Sequence, residues 1–380
     1  MKRSLRRRLD YPRMLPPLRI LFAGDFDPDY NRTRILRAGL RALGHDLEDC
    51  KFNRPSSVEL GRLRSAATRC DAVFLPSFSH NTAPSVRACL PHMPMVFDPL
   101  ISLHMTRVTD YKRAPRWSLG ALRSWIRDRR ALRAADTLIF DTEAHRQWFA
   151  SAHRLSLERS VVVPVGNDFT EFYPAAKANP THGPLRVGFY GGFIPLQGVL
   201  TILRAAAQLQ EEHNVDFELI GDGYEGTAAK RLITEMRIKN VRMRGWLPYE
   251  HLCSAIQSFD IALGIFGTTP KSSLVVPNKV FHYMGCGIPV ITRDSIAIRE
   301  LFRHNSELWL VEPDPKSLAS AILRLAKDAP LRSRIGKAGH DSVASHYSSR
   351  HVASELERAL RLAIETHTAR SLRHETLIQH

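Results

Sequence analysis

This 380-residue sequence contains no long hydrophobic run. None approaches the roughly 18–20 apolar residues that a membrane span needs, so no transmembrane helix is expected. The basic start at Met1 (MKRSLRRRL) has no apolar stretch behind it, which argues against a secretory signal. Cysteine is scarce: Cys50, Cys70, Cys89, Cys253 and Cys286 stand far apart, odd in number and without CxxC spacing. That excludes a disulfide framework and a zinc knuckle, and a reducing cytoplasm is the expected home. No cluster of His, Cys, Asp and Glu has metal-ligand spacing, and neither a Walker-type loop nor GxSxG occurs. The five tryptophans are scattered singly and no helix-turn-helix pattern is present, which sets aside specific nucleic-acid recognition.

Acidic residues are also few. Lys and Arg number 54 against 38 Asp and Glu, a net charge of +16. Residues 1–180 hold 30 basic against 18 acidic residues (+12), and residues 181–380 hold 24 against 20 (+4). The excess either marks an anionic partner, such as a membrane surface, or is a uniform feature of an arginine-rich protein.

What is present is a twice-repeated α/β pattern. Short apolar strands are predicted at 18–23, 71–75, 95–97, 137–140 and 161–163, with helical spacing between them. Residues 119–135 place Leu122, Trp125, Ile126 and Leu132 on one helical face. The stretch 172–184 has three prolines and no periodicity, and the pattern then restarts with strands at 185–190, 216–220, 260–263, 289–291 and 308–310. Alternating strands and helices predict parallel sheets covered on both faces and wound in both directions. The expected division is a basic arm (1–17), a first domain (18–175), a linker (176–184), a second domain (185–345), a C-terminal helix (346–366) and a loose tail (367–380). Two such domains face each other across a cleft, with ligands beyond the carboxyl ends of the strands.

Four ordered stretches in the second half carry a resemblance: Phe189–Gly198 (FYGGFIPLQG), Leu219–Tyr224 (LIGDGY), Val241–Pro248 (VRMRGWLP), and Phe259–Lys271 running on through Val276–Ile291 to Ile298–Leu301. They resemble the donor-binding domain of family 4, the retaining glycosyltransferases of GT-B fold. The first half, through the Gly24 loop, Asp29–Thr33, Val96–Leu100 and Val163–Gly166, is similar to that family's acceptor domain.

The resemblance implies a donor site for a nucleotide diphosphate sugar, which is a co-substrate; no cofactor and no metal are expected. Gly191 and Gly192, between a strand and a helix, either admit the phosphates to backbone N–H groups or only make a tight turn. The family's Arg and Lys in this loop are replaced by Gly192 and Gln197, so other cations must neutralise the diphosphate. Lys279, opening a helix in Pro277-Asn278-Lys279, is the first candidate for this electrostatic role, followed by Lys271 and by Arg32 reaching across the cleft. The family's two glutamates, seven residues apart, align with Leu274 and His282; His282 retains one ring nitrogen for a ribose hydroxyl.

Gly221, Asp222 and Gly223 line the nucleotide crevice or form a plain turn. Trp246 lies near the base or packs internally, and Glu300 holds its own loop or a donor hydroxyl. Gly24 joins the donor set as the first-domain glycine loop. On the acceptor side Asp98 and His104 are candidate bases, with Asp141 weaker. The implied activity is hexosyl transfer, retaining and metal-independent, to a glycan, a lipid-linked or a small acceptor. The alternative is a catalytically silent relative that binds a nucleotide or a protein. Arg6, Arg7, Arg8 and Arg13 of the arm suggest peripheral contact with anionic lipid at the inner membrane surface.

Overall fold

A computed structural model describes residues 16–176, 183–212 and 214–378. Nearly all of the basic arm, including Arg6, Arg7, Arg8 and Arg13, and most of the 176–184 linker lie outside the described residues.

The first sheet contains β1 (Arg19–Gly24), β2 (Asp46–Lys51), β3 (Ala72–Leu75), β4 (Met95–Phe97), β5 (Thr137–Phe140) and β6 (Ser160–Val162), in the order β2-β1-β3-β4-β5-β6. The second contains β7 (Leu185–Tyr190), β8 (Val215–Ile220), β9 (Val241–Gly245), β10 (Ile261–Leu263), β11 (Val290–Arg293) and β12 (Trp309–Val311), in the order β12-β11-β10-β7-β8-β9. All neighbouring strands pair in parallel. The cause is visible in β3 and β5, which are buried at every position because helices cover both faces. In each sheet the strand order reverses direction from its first strand, so crossover helices fall on both sides.

The last helix, Ser349–Ile378, returns from the second domain to the first sheet, packing on the helix Asn31–Ala42 and on β3 to β6. Gly39 permits the approach, since a Cβ there would lie 2.6 Å from that of Ala353. At the crossing point the Asn167 N–H donates to the Tyr347 carbonyl and the Ser349 N–H to the Asn167 carbonyl, both at 2.8 Å. The helix continues to Ile378, where the sequence predicts a loose tail from residue 367.

The helix Leu119–Ala134 corrects a second expectation. It buries Ala121, Ser124, Asp128, Ala131 and Leu132, whereas Leu119, Leu122 and Ile126 face solvent. The reason is polar: the buried Asp128 carboxylate accepts from Ser102 Oγ (2.7 Å) and from the N–H groups of Leu103 (2.9 Å) and His104 (3.0 Å). Satisfying that buried charge turns the small-residue face inward.

Candidate functional site

The carboxyl ends of the two sheets enclose a cavity of about 630 Å³. Its walls follow strand ends throughout: Phe78 after β3, Leu100 and Ile101 after β4, Asp141 after β5, Gly191 after β7, Trp246 after β9. Its size suits a nucleotide or small ligand. The lining is largely aromatic and aliphatic, and its few polar side chains therefore carry the electrostatics.

The Gly191 turn and Lys279 define one wall. Gly191 has φ +140° and Gly221 φ +129°, a region L side chains rarely adopt; a Cβ on Gly191 would lie 2.9 Å from Lys279 Nζ, and one on Gly221 2.1 Å from the Gly191 carbonyl oxygen. Lys279 enters from the start of the helix Asn278–Gly285 and lies over the Phe189 ring, 3.5 Å from its centroid. Its Nζ donates to Gln197 Oε1 at 2.5 Å. Burial without a carboxylate partner pushes its pKa well below the ordinary value. Gly191, Gly192, Gln197, Pro277, Asn278 and Lys279 thus share one wall. Trp246 also lines the cavity and is 65% exposed as a residue, which argues against internal packing as its role.

Lys271 is the second cation in the lining. It comes from the second domain, and its Nζ lies 3.6 Å from Asp110 Oδ2 and 3.4 Å from Thr106 Oγ1 in the first. Burial lowers its pKa and Asp110 opposes the shift.

Other candidates are placed elsewhere. Arg32 is fully buried, its Nε 2.6 Å from Asp98 Oδ2, with its remaining donors on the carbonyls of Val163 (2.9 Å) and Pro164 (3.2 Å). Asp98 also accepts from Ser77 Oγ at 3.0 Å. This ion pair holds β4, β6 and the first helix together; neither member lines the cavity, and Arg32 does not cross the cleft. His104 turns its Nδ1 to the Ala121 carbonyl (3.0 Å), away from the cavity. His282 is buried beneath the site, stacked on Phe172 at 3.8 Å and hydrogen-bonded through Nδ1 to Tyr190 Oη at 2.6 Å. Burial lowers its pKa to about 3, and it offers no nitrogen to a ribose in the cavity.

Gly221, Asp222 and Gly223 support the Gly191 loop from behind. The Phe193 N–H donates to the Asp222 carbonyl (3.0 Å), and the Asp222 carboxylate caps the Gly223 N–H (2.8 Å). Gly24 ends β1 against Thr82 and Ser79, outside the lining. Glu300 reaches the other domain, where it accepts from the N–H groups of Glu143 (2.7 Å) and Ala144 (2.8 Å) at the start of the helix Glu143–His153. It closes the cleft from its rim and is not in the lining. Leu274 lends its carbonyl to the Thr142 hydroxyl, a second bridge between the domains.

The structure adds Asp110, Tyr111 and Tyr249, which lie outside the matched stretches, and it brings Tyr30 and Tyr190, which lie within them but carry no separate signal, into the lining. Burial and the nearby Asp98 raise the Tyr30 pKa to about 12. Asp141, the weaker sequence candidate, does line the cavity, and its Oδ1 lies 2.6 Å from His145 Nδ1. Phe78 (φ 76°) and Leu100 (φ 49°) hold left-handed backbone conformations in the lining. Such conformations are costly for bulky side chains and cluster at binding sites.

Comparison with known proteins bears on both halves. Residues 200–358 match the family model described as "Glycosyl transferase-like". The chain is 27% identical over 204 residues to the O-antigen biosynthesis protein RfbC of Myxococcus xanthus, covering 52% of this chain and 14% of that one. It spans 14% to 59% of the lengths of five curated relatives it matches. Among solved structures, sucrose-phosphate synthase from Thermosynechococcus elongatus superposes with a TM-score of 0.70 at 17% identity, covering 90% of this chain and 98% of its own. HepE of Anabaena, in complex with UDP-glucose, gives 0.69 at 16% identity, covering 90% and 99%. The fold is therefore the two-domain GT-B architecture.

Proposed function

We propose that this chain is a glycosyltransferase that takes a sugar from a nucleotide diphosphate donor and passes it, with retention and without a metal, to a glycan, lipid-linked or small-molecule acceptor. The observation that carries the reading is the Lys279 amine, buried against the Gly191 turn at the edge of an interdomain cavity. A leaving diphosphate gains negative charge as the glycosidic bond breaks, and a fixed cation in a dry site stabilises that charge strongly. Lys279 takes this role, Lys271 is the reserve cation, and the exposed Trp246 ring is available to the base. The acceptor lies on the side of Tyr30, Asp110 and Asp141, and its proton passes to the departing phosphate or to one of these carboxylates. Supporting this reading are the glycosyl transferase-like match over 200–358 and the neighbour that holds UDP-glucose.

A second reading, a silent nucleotide-binding relative, is favoured by one observation. The positions aligned with the family's glutamates hold Leu274 and a fully buried His282, so no carboxylate is supplied there for the donor sugar. The discriminating experiment is turnover. The protein is incubated with a panel of nucleotide sugars and a lipid and glycan extract, and released nucleoside diphosphate is measured. Release from one donor, abolished by Lys279→Ala, supports the transferase; binding without release from any donor supports the silent reading.

A further inference from the structure

We propose that the surface formed by residues 112–130 docks this protein onto a bilayer bearing anionic lipid. The docking stands on its own observations; only its consequence for the acceptor rests on the transferase reading.

Four large apolar side chains stand in solvent close together. Trp117 is 91% exposed, and on the helix Leu119–Ala134 that follows, Leu119 is 72%, Leu122 51% and Ile126 40% exposed. Their spacing puts the three aliphatic residues on one face. Arg116, Arg123, Arg127 and Arg130 are exposed among them. From 112 to 133 the sequence has eight Lys and Arg and a single acid, Asp128. Asp128 is fully buried, so this segment presents basic and apolar groups to solvent and no carboxylate.

That combination decides between partners. A protein interface enriches Trp and Arg but is depleted of charged residues overall at its centre, whereas this face exposes Arg116, Arg123, Arg127 and Arg130 among its apolar side chains. Nucleic acid would reward the arginines and leave Leu119, Leu122 and Ile126 without a partner. An interfacial helix needs both: apolar side chains that enter the acyl boundary, and flanking arginines that extend to phosphate headgroups.

The placement also has a functional sense. The segment begins at the cavity mouth, where Tyr111 meets Tyr224 of the other domain (centroids 5.1 Å apart) and the Arg113 guanidinium lies 4.7 Å from the Tyr111 ring centroid. At the start of the helix a Cβ on Gly120 would lie 3.3 Å from the Arg107 guanidinium, so the docking helix packs beside the Thr106–Asp110 turn, two of whose residues line the cavity. A protein resting on this face holds its cavity mouth beside the bilayer, and the acceptor class that follows is lipid-linked.

The test uses the full chain and vesicles of phosphatidylcholine with and without phosphatidylglycerol, read by co-sedimentation and by tryptophan emission. Wild type is expected to bind the anionic vesicles, with a blue-shifted emission. W117S/L122Q and R123E/R127E each weaken binding ~10-fold or more, while circular dichroism and nucleotide titration remain those of wild type. The proposal is overturned if wild type does not bind, or if W117S/L122Q binds like wild type, which would assign the affinity to charge elsewhere. It is also overturned if vesicles are ignored and sedimentation equilibrium shows a dimer that W117S/L122Q dissociates, in which case a second copy covers the face. Vesicle binding without any nucleotide-sugar turnover would leave the docking standing and refute the transferase.

Discussion

Replacing Lys279 by methionine separates the two consequences of its burial. Methionine has nearly the same length and no charge. In the free protein it removes an amine that has lost its water and has only Gln197 and the Phe189 face in return. Replacing a buried polar group that has no ion-pair partner by an apolar side chain of like volume relieves a desolvation cost of about 1–3 kcal/mol. Gln197 loses one partner, which returns about 1 kcal/mol. The net expectation is a variant more stable than wild type by about 1 kcal/mol. Nucleotide binding moves the other way. A hydrogen bond to a charged group contributes about 1.5–3 kcal/mol, so the dissociation constant for the diphosphate rises about 10- to 150-fold. Thermal unfolding and titration calorimetry read the two effects on the same sample. A K279M protein that is less stable and binds with wild-type affinity would make Lys279 a structural residue and remove it from the donor site.

The same burial fixes a pH dependence. The folded-state pKa of Lys279 is depressed below its ordinary value, so the protonated amine favours the unfolded chain. The stability penalty is absent above the unfolded pKa near 10.5, develops as the pH falls from there, and is complete below the folded pKa. The stability advantage of K279M over wild type must therefore grow as pH falls through that window. An arriving diphosphate favours the protonated amine. Binding then takes up a proton wherever the free amine is neutral, and affinity falls as pH rises. Calorimetry in buffers of different ionisation enthalpy measures that uptake, and a slope of opposite sign would contradict it.

Other predictions follow from the same placement. R32M leaves Asp98 buried without its cation and lowers stability by about 3–5 kcal/mol, yet nucleotide affinity of the folded fraction is unchanged; unfolding and titration together test this. W246A removes an exposed ring from the cavity wall, so it weakens nucleotide binding by about 1–3 kcal/mol with the melting temperature unchanged. E300A frees the Glu143 and Ala144 N–H groups at the cleft rim. It lowers stability by about 1–2 kcal/mol and increases the radius of gyration measured by small-angle scattering, through easier opening of the cleft.

Most of the architecture is legible in the sequence because it rests on local pattern. Strand β7 is buried at four of its six positions and ends in a glycine turn, and its predicted span coincides with the observed one. Strand β2 (DLEDCK) is not legible: an edge strand rich in charge has no apolar period to detect, and pairing with β1 creates it. The solvent face of Leu119–Ala134 misleads for a related reason. Periodicity identifies a face but not the neighbour it meets, and Asp128 decides the orientation through bonds to residues 24–26 positions away.

The site divides in the same way. Gly191, Lys279, Lys271 and Trp246 lie in or beside the matched stretches and all line the cavity. Arg32, Asp98 and His282 have the right chemistry, but burial commits them to internal partners, and one-dimensional order does not register burial. Asp110 and Tyr111, outside the matched stretches, enter only because the first domain's loops face the second across the cleft.

The role of Lys279 in holding a nucleotide diphosphate is tested by calorimetric titration of the wild-type protein and its K279A variant with UDP, GDP, ADP and their sugar conjugates. Wild type is expected to bind one nucleotide selectively, and K279A to lose that affinity. Well-folded protein that binds no member of the panel, or binds equally well without the Lys279 amine, would contradict that role.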